Sequence, residues 1–124
     1  MQLLNDYGTI TSREKITQEM IDDILCSAFE GGISYWASHV FPENNVWPDG
    51  VTFVSECLSR GVNVCIKDLE EDDIYLLTLP MFVDGLSKAV EFRECTLESF
   101  CENHDAFDAD LVVQFALFGR IIYG

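Results

Sequence analysis

The stretch FEGGISYW, residues 29–36, decides how the chain is to be read. Before it, apolar residues fall at helical spacing; within it come a glutamate, two glycines and two large aromatics in succession. If the glycine pair ends a helix and ISYWASHVF, residues 33–41, opens a strand, the protein mixes helices with a sheet. The β-branched and aromatic content of residues 33–41 suits a strand, although periodicity over so short a run leaves a continued helix open. In a strand, Tyr35 and Trp36 face opposite sides. One ring then joins the core and the other lies at a surface, where aromatics favour interfaces.

Upstream, Thr17 is a good helix cap, with Glu19, Asp22 and Asp23 where the helix dipole favours acids. Ile21, Ile24, Leu25 and Ala28 form one apolar stripe, predicting a helix from about Gln18 to Phe29 that stops at Gly31. TITSREKI, residues 9–16, reads as a first strand. Downstream, PENNVWPDG (42–50) is a loop, and VTFVSECLSRG (51–61) a short helix closed by Gly61. VNVCIKD (62–68) and IYLLTL (74–79) pair as a hairpin around an acidic turn. Thr78 caps a second helix with Pro80 in its first turn and Phe82, Leu86, Ala89 and Val90 inward. DADLVVQFALFG (108–119) is a third, capped by Asp108 and stopped by Gly119, with Leu111, Val112, Phe115 and Phe118 inward. RIIYG (120–124) returns as a short terminal strand. The expected fold is α+β: about three helices packed on a small, mainly antiparallel sheet, in a single domain over residues 1–124.

Seven Lys plus Arg against 22 Asp plus Glu give a net charge of −15. Such a surface repels nucleic acid, whose binding requires cations to neutralise phosphates, so direct nucleic-acid binding is not expected. The same surface attracts a basic protein groove, and in the plainest case it only confers solubility. No apolar run approaches the ~20 residues of a membrane span. The N-terminal residues lack the charged lead and apolar block of a signal peptide, so a cytoplasmic location is expected. The five cysteines are odd in number and include no C-x-x-C pair, which favours reduced thiols.

No catalytic residue and no cofactor is expected. There is no G-x-S-x-G, and Gly31-Gly32 follows a helix, whereas a phosphate loop needs its glycines before one. CENHD (101–105) offers a thiolate and an imidazole, but zinc needs a second such pair, so no metal site is expected. LEEDD (69–73) lacks the spaced ligands of a calcium loop. The acids are more informative. Glu91, Glu94, Glu98, Glu102 and Asp105 recur at steps of three, four, four and three. On one continuous helix they would share a face, at roughly 0.2–0.5 kcal/mol of repulsion per pair. Thr96 is a good cap, so a break near Cys95-Thr96 is favoured, leaving two helices that can still present a negative ridge. Glu70, Glu71, Asp72 and Asp73 form a second acidic cluster, and Trp36, Trp47, Tyr75 and Tyr123 can supply an aromatic platform.

EGGISYW (30–36), LSRG (58–61) and ALFGRIIYG (116–124) resemble a family of small acidic proteins that recurs in bacteriophages and prophages. Its pattern is an acidic helix, EGGI-N-YW, a hairpin after an S-R-G turn, and a closing ALFG-x-I-x-YG. The match covers most of the chain, and Ser34 stands where the family has Asn. The resemblance implies a mobile-element origin and a host-cell cytoplasm, and it transfers no catalytic residue. The function expected is that of a phage-encoded inhibitor that imitates the nucleic-acid backbone, in the manner of an anti-CRISPR. It would occupy a basic host protein, a nuclease or defence effector, through Glu91, Glu94, Glu98, Glu102, Glu70, Glu71, Asp72 and Asp73, with Tyr35 and Trp36 as anchors. One alternative is a small-molecule binder that sequesters a nucleotide immune signal with Tyr35, Trp36 and Arg60 at a homodimer interface. Another is a virion assembly factor.

Overall fold

A computed structural model describes residues 15–124. Its elements are α1 (Gln18–Ser27), β1 (Ala37–Pro42), β2 (Val64–Asp68), β3 (Ile74–Leu77), α2 (Leu79–Arg93), α3 (Leu97–Asn103) and α4 (Ala106–Phe118). The fold is α+β, with one antiparallel sheet of order β1-β2-β3 and four α-helices among the described residues. The strand expected over residues 9–16 lies outside the described residues except for Lys15 and Ile16.

Local chemistry accounts for the helix starts. The hydroxyls of Thr17, Thr78 and Thr96 accept from the backbone N–H groups of Met20, Met81 and Ser99, each satisfying a donor that the first helical turn leaves open. Thr96 therefore begins a separate helix, and the break expected near Cys95 is present. α4 begins at Ala106, and its cap lies three residues before the predicted Asp108. Asp105 is the cap, and Asp105 and Asp108 each accept from the other's backbone N–H. That reciprocal arrangement satisfies two donors where one cap satisfies one.

The glycine pair behaves differently from expectation. Neither Gly31 nor Gly32 adopts the left-handed conformation that stops a helix. Instead α1 widens into a π turn over Ala28–Gly32, and residues 33–36 form a turn, so the strand starts only at Ala37. Tyr35 and Trp36 thus fall before the strand. Gly32 is required for proximity: a Cβ there would lie 2.5 Å from the carbonyl oxygen of Ala106, so the end of α1 abuts the start of α4. Two further expectations are corrected. Residues 51–61 form short 3-10 turns, Val54–Glu56 and Leu58–Arg60, closed by left-handed Gly61, and RIIYG is not a strand.

The hairpin register aligns Val64 with Leu77 and Ile66 with Tyr75. Val64, Ile66 and Leu77 turn inward to a core shared with Ile24, Leu25, Phe82, Leu86, Leu111 and Val112, each fully buried side chain contributing about 1.5–3 kcal/mol. The opposite face carries Cys65, Lys67, Ile74 and Leu76. β3 pairs with β2 alone among the described strands. α2 crosses α4 closely at Gly85, where a Cβ would sit 2.6 Å from the Val112 carbonyl. α4 is buried at six successive positions, Ala109 to Gln114, so polar groups in that run must find partners inside the protein.

Candidate functional site

The predicted acidic residues divide among three places. Glu91 and Glu94 lie exposed at the end of α2, where Glu94 takes a left-handed conformation as its C-cap. Beside them Arg93 holds Asp108 and stacks over Phe107. Glu98 and Glu102 lie on α3 and line an open cleft of about 730 Å3 together with Glu19 and Asp23 of α1. Glu70, Glu71, Asp72 and Asp73 occupy the exposed β2–β3 turn, where Asp72 meets Lys67 at 3.5 Å, an exposed pair worth little. The five-acid stripe is thus broken, and its middle acids are paired with acids from another helix.

The α1–α3 cleft contains no lysine or arginine among the described residues that line it. A buried-side link holds its walls: the Nε2 of His104 lies 2.8 Å from the Ser27 hydroxyl, and its Nδ1 lies 2.9 Å from the Cys101 carbonyl. A carbonyl only accepts, so Nδ1 carries the hydrogen; in the neutral ring, Nε2 then accepts from the Ser27 hydroxyl. This is the geometry of a serine and its base. However, four surrounding carboxylates oppose the oxyanion that acyl transfer would build, where such sites concentrate donors. Both ring nitrogens are committed to these bonds, and among the described residues no group of three His, Cys, Asp or Glu side chains converges to hold a metal. Cys26 lines the same cleft and donates to Glu30 at 3.0 Å. That bond, reinforced by burial, pushes its thiol up to about 11, the opposite of an activated nucleophile.

The second assembly joins residues far apart in the chain. Asp110, in the buried run of α4, accepts from the Tyr35 hydroxyl at 2.6 Å and from the Trp36 indole N–H at 2.8 Å. The Gln114 amide donates to both of its oxygens at 3.0 Å. The Gln114 carbonyl oxygen accepts from the backbone N–H groups of Ile122 and Tyr123. This is why residues 120–124 fold back without pairing to a strand: a side chain takes the bonds a sheet would have supplied. Tyr123 then stacks on Trp36, centroids 4.6 Å apart and planes 3° from parallel, and donates to Asp68. Asp68 also accepts from the backbone N–H groups of Glu70 and Glu71. The Glu71 N–H and then the Tyr123 hydroxyl hold its carboxyl below the usual range.

Tyr35 and Trp36 therefore do not diverge as strand neighbours would. Their polar atoms converge on one carboxylate, while Trp36 is 3% exposed and Tyr35 is 50% exposed. Of the expected platform, Trp36, Tyr75 and Tyr123 gather around Phe118, and Trp47 stays outside on the exposed loop. Arg60 is held by Asp22 and the Glu56 carbonyl, whereas Tyr35 and Trp36 are held by Asp110, so the three do not share a partner.

Asp68, Asp110 and Gln114 were missed as functional candidates. Their one sequence signal is the presence of Asp110 and Gln114, four residues apart, on a helix otherwise apolar at these positions. Comparison with known proteins gives no matching family model, no matching curated protein and no matching solved structure. Among the described residues no helix is long and apolar enough to cross a membrane.

Proposed function

We propose that this protein is a binding module whose acidic α1–α3 cleft receives the cationic side chains of a basic partner protein. One observation carries the reading: Glu19, Asp23, Glu98 and Glu102 come from two helices to line a single open cleft without a lysine or arginine among its described lining residues. Lysine or arginine entering that groove gains several carboxylates at once, and the net charge of −15 speeds its approach. The Ser27–His104 link keeps the two walls together. The resemblance to phage and prophage proteins adds a setting. There the partner is a host nuclease or defence protein, and carboxylates stand in for the phosphates it normally grips.

The test is retention of basic host proteins on the immobilised protein at two ionic strengths. It is repeated with a variant carrying Glu19→Gln, Asp23→Asn, Glu98→Gln and Glu102→Gln. Retention should fall at least tenfold between about 0.05 and 0.5 M salt, because the screening length shrinks severalfold over that range, and the variant should lose the same partner. A partner held equally by both forms at both salt concentrations refutes the reading.

A further inference from the structure

We propose that the pocket lined by Tyr35, Trp36, Leu69, Glu70, Tyr123 and Gly124 binds an alkylammonium group. The pocket encloses about 230 Å3 between the turn after the π turn, the β2–β3 connection and the folded-back tail. Three of its lining side chains are aromatic, and each donates its polar hydrogen to a buried carboxylate: Tyr35 and Trp36 to Asp110, Tyr123 to Asp68. Among the described residues neither carboxylate has a lysine, arginine or histidine partner. Two carboxylates thus sit at the edges of the rings, paired only with neutral donors.

That arrangement has a consequence for the rings. A phenol or indole that donates to a carboxylate gains electron density, which deepens the negative face that attracts cations. Burial and then the bond to Asp110 raise the Tyr35 hydroxyl to about 12, and the Asp68 bond raises Tyr123 as well. At the mouth stands Glu70, exposed and without a cationic partner among the described residues. Aromatic walls with one carboxylate at the rim recognise a compact cation that is weakly hydrated. A guanidinium fits less well, because it binds as a flat fork between ring faces, and the facing sides of Trp36 and Tyr123 already stack on each other. A divalent metal ion would need several oxygen ligands, and Glu70 is the one carboxylate side chain lining the pocket.

This site is separate from the acidic cleft and does not depend on the partner proposed for it. The experiment follows the Trp36 indole N–H resonance during titration with tetramethylammonium chloride, at ionic strength held constant with sodium chloride. Neopentyl alcohol, similar in shape and uncharged, is the control. The expected result is a saturable shift with the cation and none with the alcohol. Glu70→Gln and Tyr35→Leu should each weaken binding about fivefold. Glu70 is exposed and Tyr35 half exposed; Tyr35→Leu also loses its bond to Asp110, and unchanged dispersion of the remaining resonances verifies that the fold persists in both variants. No saturable shift, equal shifts with the alcohol, or unaltered affinity in both variants overturns the proposal. A short peptide with one trimethyllysine forms a second arm. Binding tighter than the free cation assigns the site to a macromolecular side chain, and binding no tighter assigns it to a small metabolite; either keeps the ammonium site.

Discussion

Replacing Gln114 by glutamate alters a single polar group in the buried network and leaves its shape nearly intact. Gln114 is fully buried, its amide nitrogen 3.0 Å from each oxygen of Asp110 and its oxygen bonded to the tail. In Gln114→Glu the bonds from the Ile122 and Tyr123 N–H groups survive, but an oxygen now faces the Asp110 carboxylate and, at 3.4 Å, the Tyr123 carbonyl. Two full charges at that separation repel by about 5.5 kcal/mol at an effective dielectric constant of ~20. The alternative is to hold one proton between the pair. Against a usual glutamate pKa of ~4.3, that costs about 3.7 kcal/mol at pH 7. The cheaper route prevails, so the variant should be about 4 kcal/mol less stable than wild type at pH 7, a large share of a typical domain's stability. The introduced carboxyl has a folded pKa above its unfolded one. Its proton-bridged pair is therefore fully stabilising below about pH 4.3 and loses that contribution as the pH rises. The deficit relative to wild type should shrink by about 1.4 kcal/mol per pH unit on going from pH 7 towards 4.5. Urea unfolding of both proteins, followed by tryptophan fluorescence at pH 7, 6 and 5, measures it. A deficit below about 1 kcal/mol at pH 7, or one that ignores pH, refutes the account of the network.

Gly32→Ala should cost about 1–3 kcal/mol, since its Cβ meets a rigid backbone oxygen. The neighbouring Gly31→Ala, with nothing within 4 Å of its Cβ, should be neutral or slightly stabilising, and equal melting temperatures for the two variants would sink the argument. The Cys26 thiol, raised to about 11 chiefly by its bond to Glu30, should be only about 0.1% thiolate at pH 8 and slow to react with iodoacetamide. Glu30→Gln should accelerate alkylation at that residue severalfold by peptide mass spectrometry, and an unchanged rate would show the bond to be irrelevant.

What the sequence disclosed follows the range of the interactions involved. Thr17, Thr78 and Thr96 announced their helices because a cap acts within three residues, and the β2–β3 hairpin was legible because period and turn are equally local. The glycine pair misled because nothing near residues 31–32 reveals that Ala106 will press against Gly32. The same holds for RIIYG: its apolar residues suit a strand, but its N–H groups bond to Gln114, a side chain on the preceding helix. The acidic ladder on α2 and α3 was visible, yet its pairing with Glu19 and Asp23 depends on how α1 packs. Tyr35 and Asp110 stand 75 positions apart, and no periodicity spans that distance.

The side of β3 that no described strand covers has a cost that the acidic turn offsets. Ile74 and Leu76 are 57% and 39% exposed, on a strand with one strand partner among the described residues, and a sheet edge can template a neighbour. Glu70, Glu71, Asp72 and Asp73 immediately precede it, so any second copy sliding alongside must bring its own surplus of anions close to theirs. Mutual repulsion thereby guards the molecule against stacking into fibrils, and the guard weakens wherever acid or concentrated electrolyte quenches those charges.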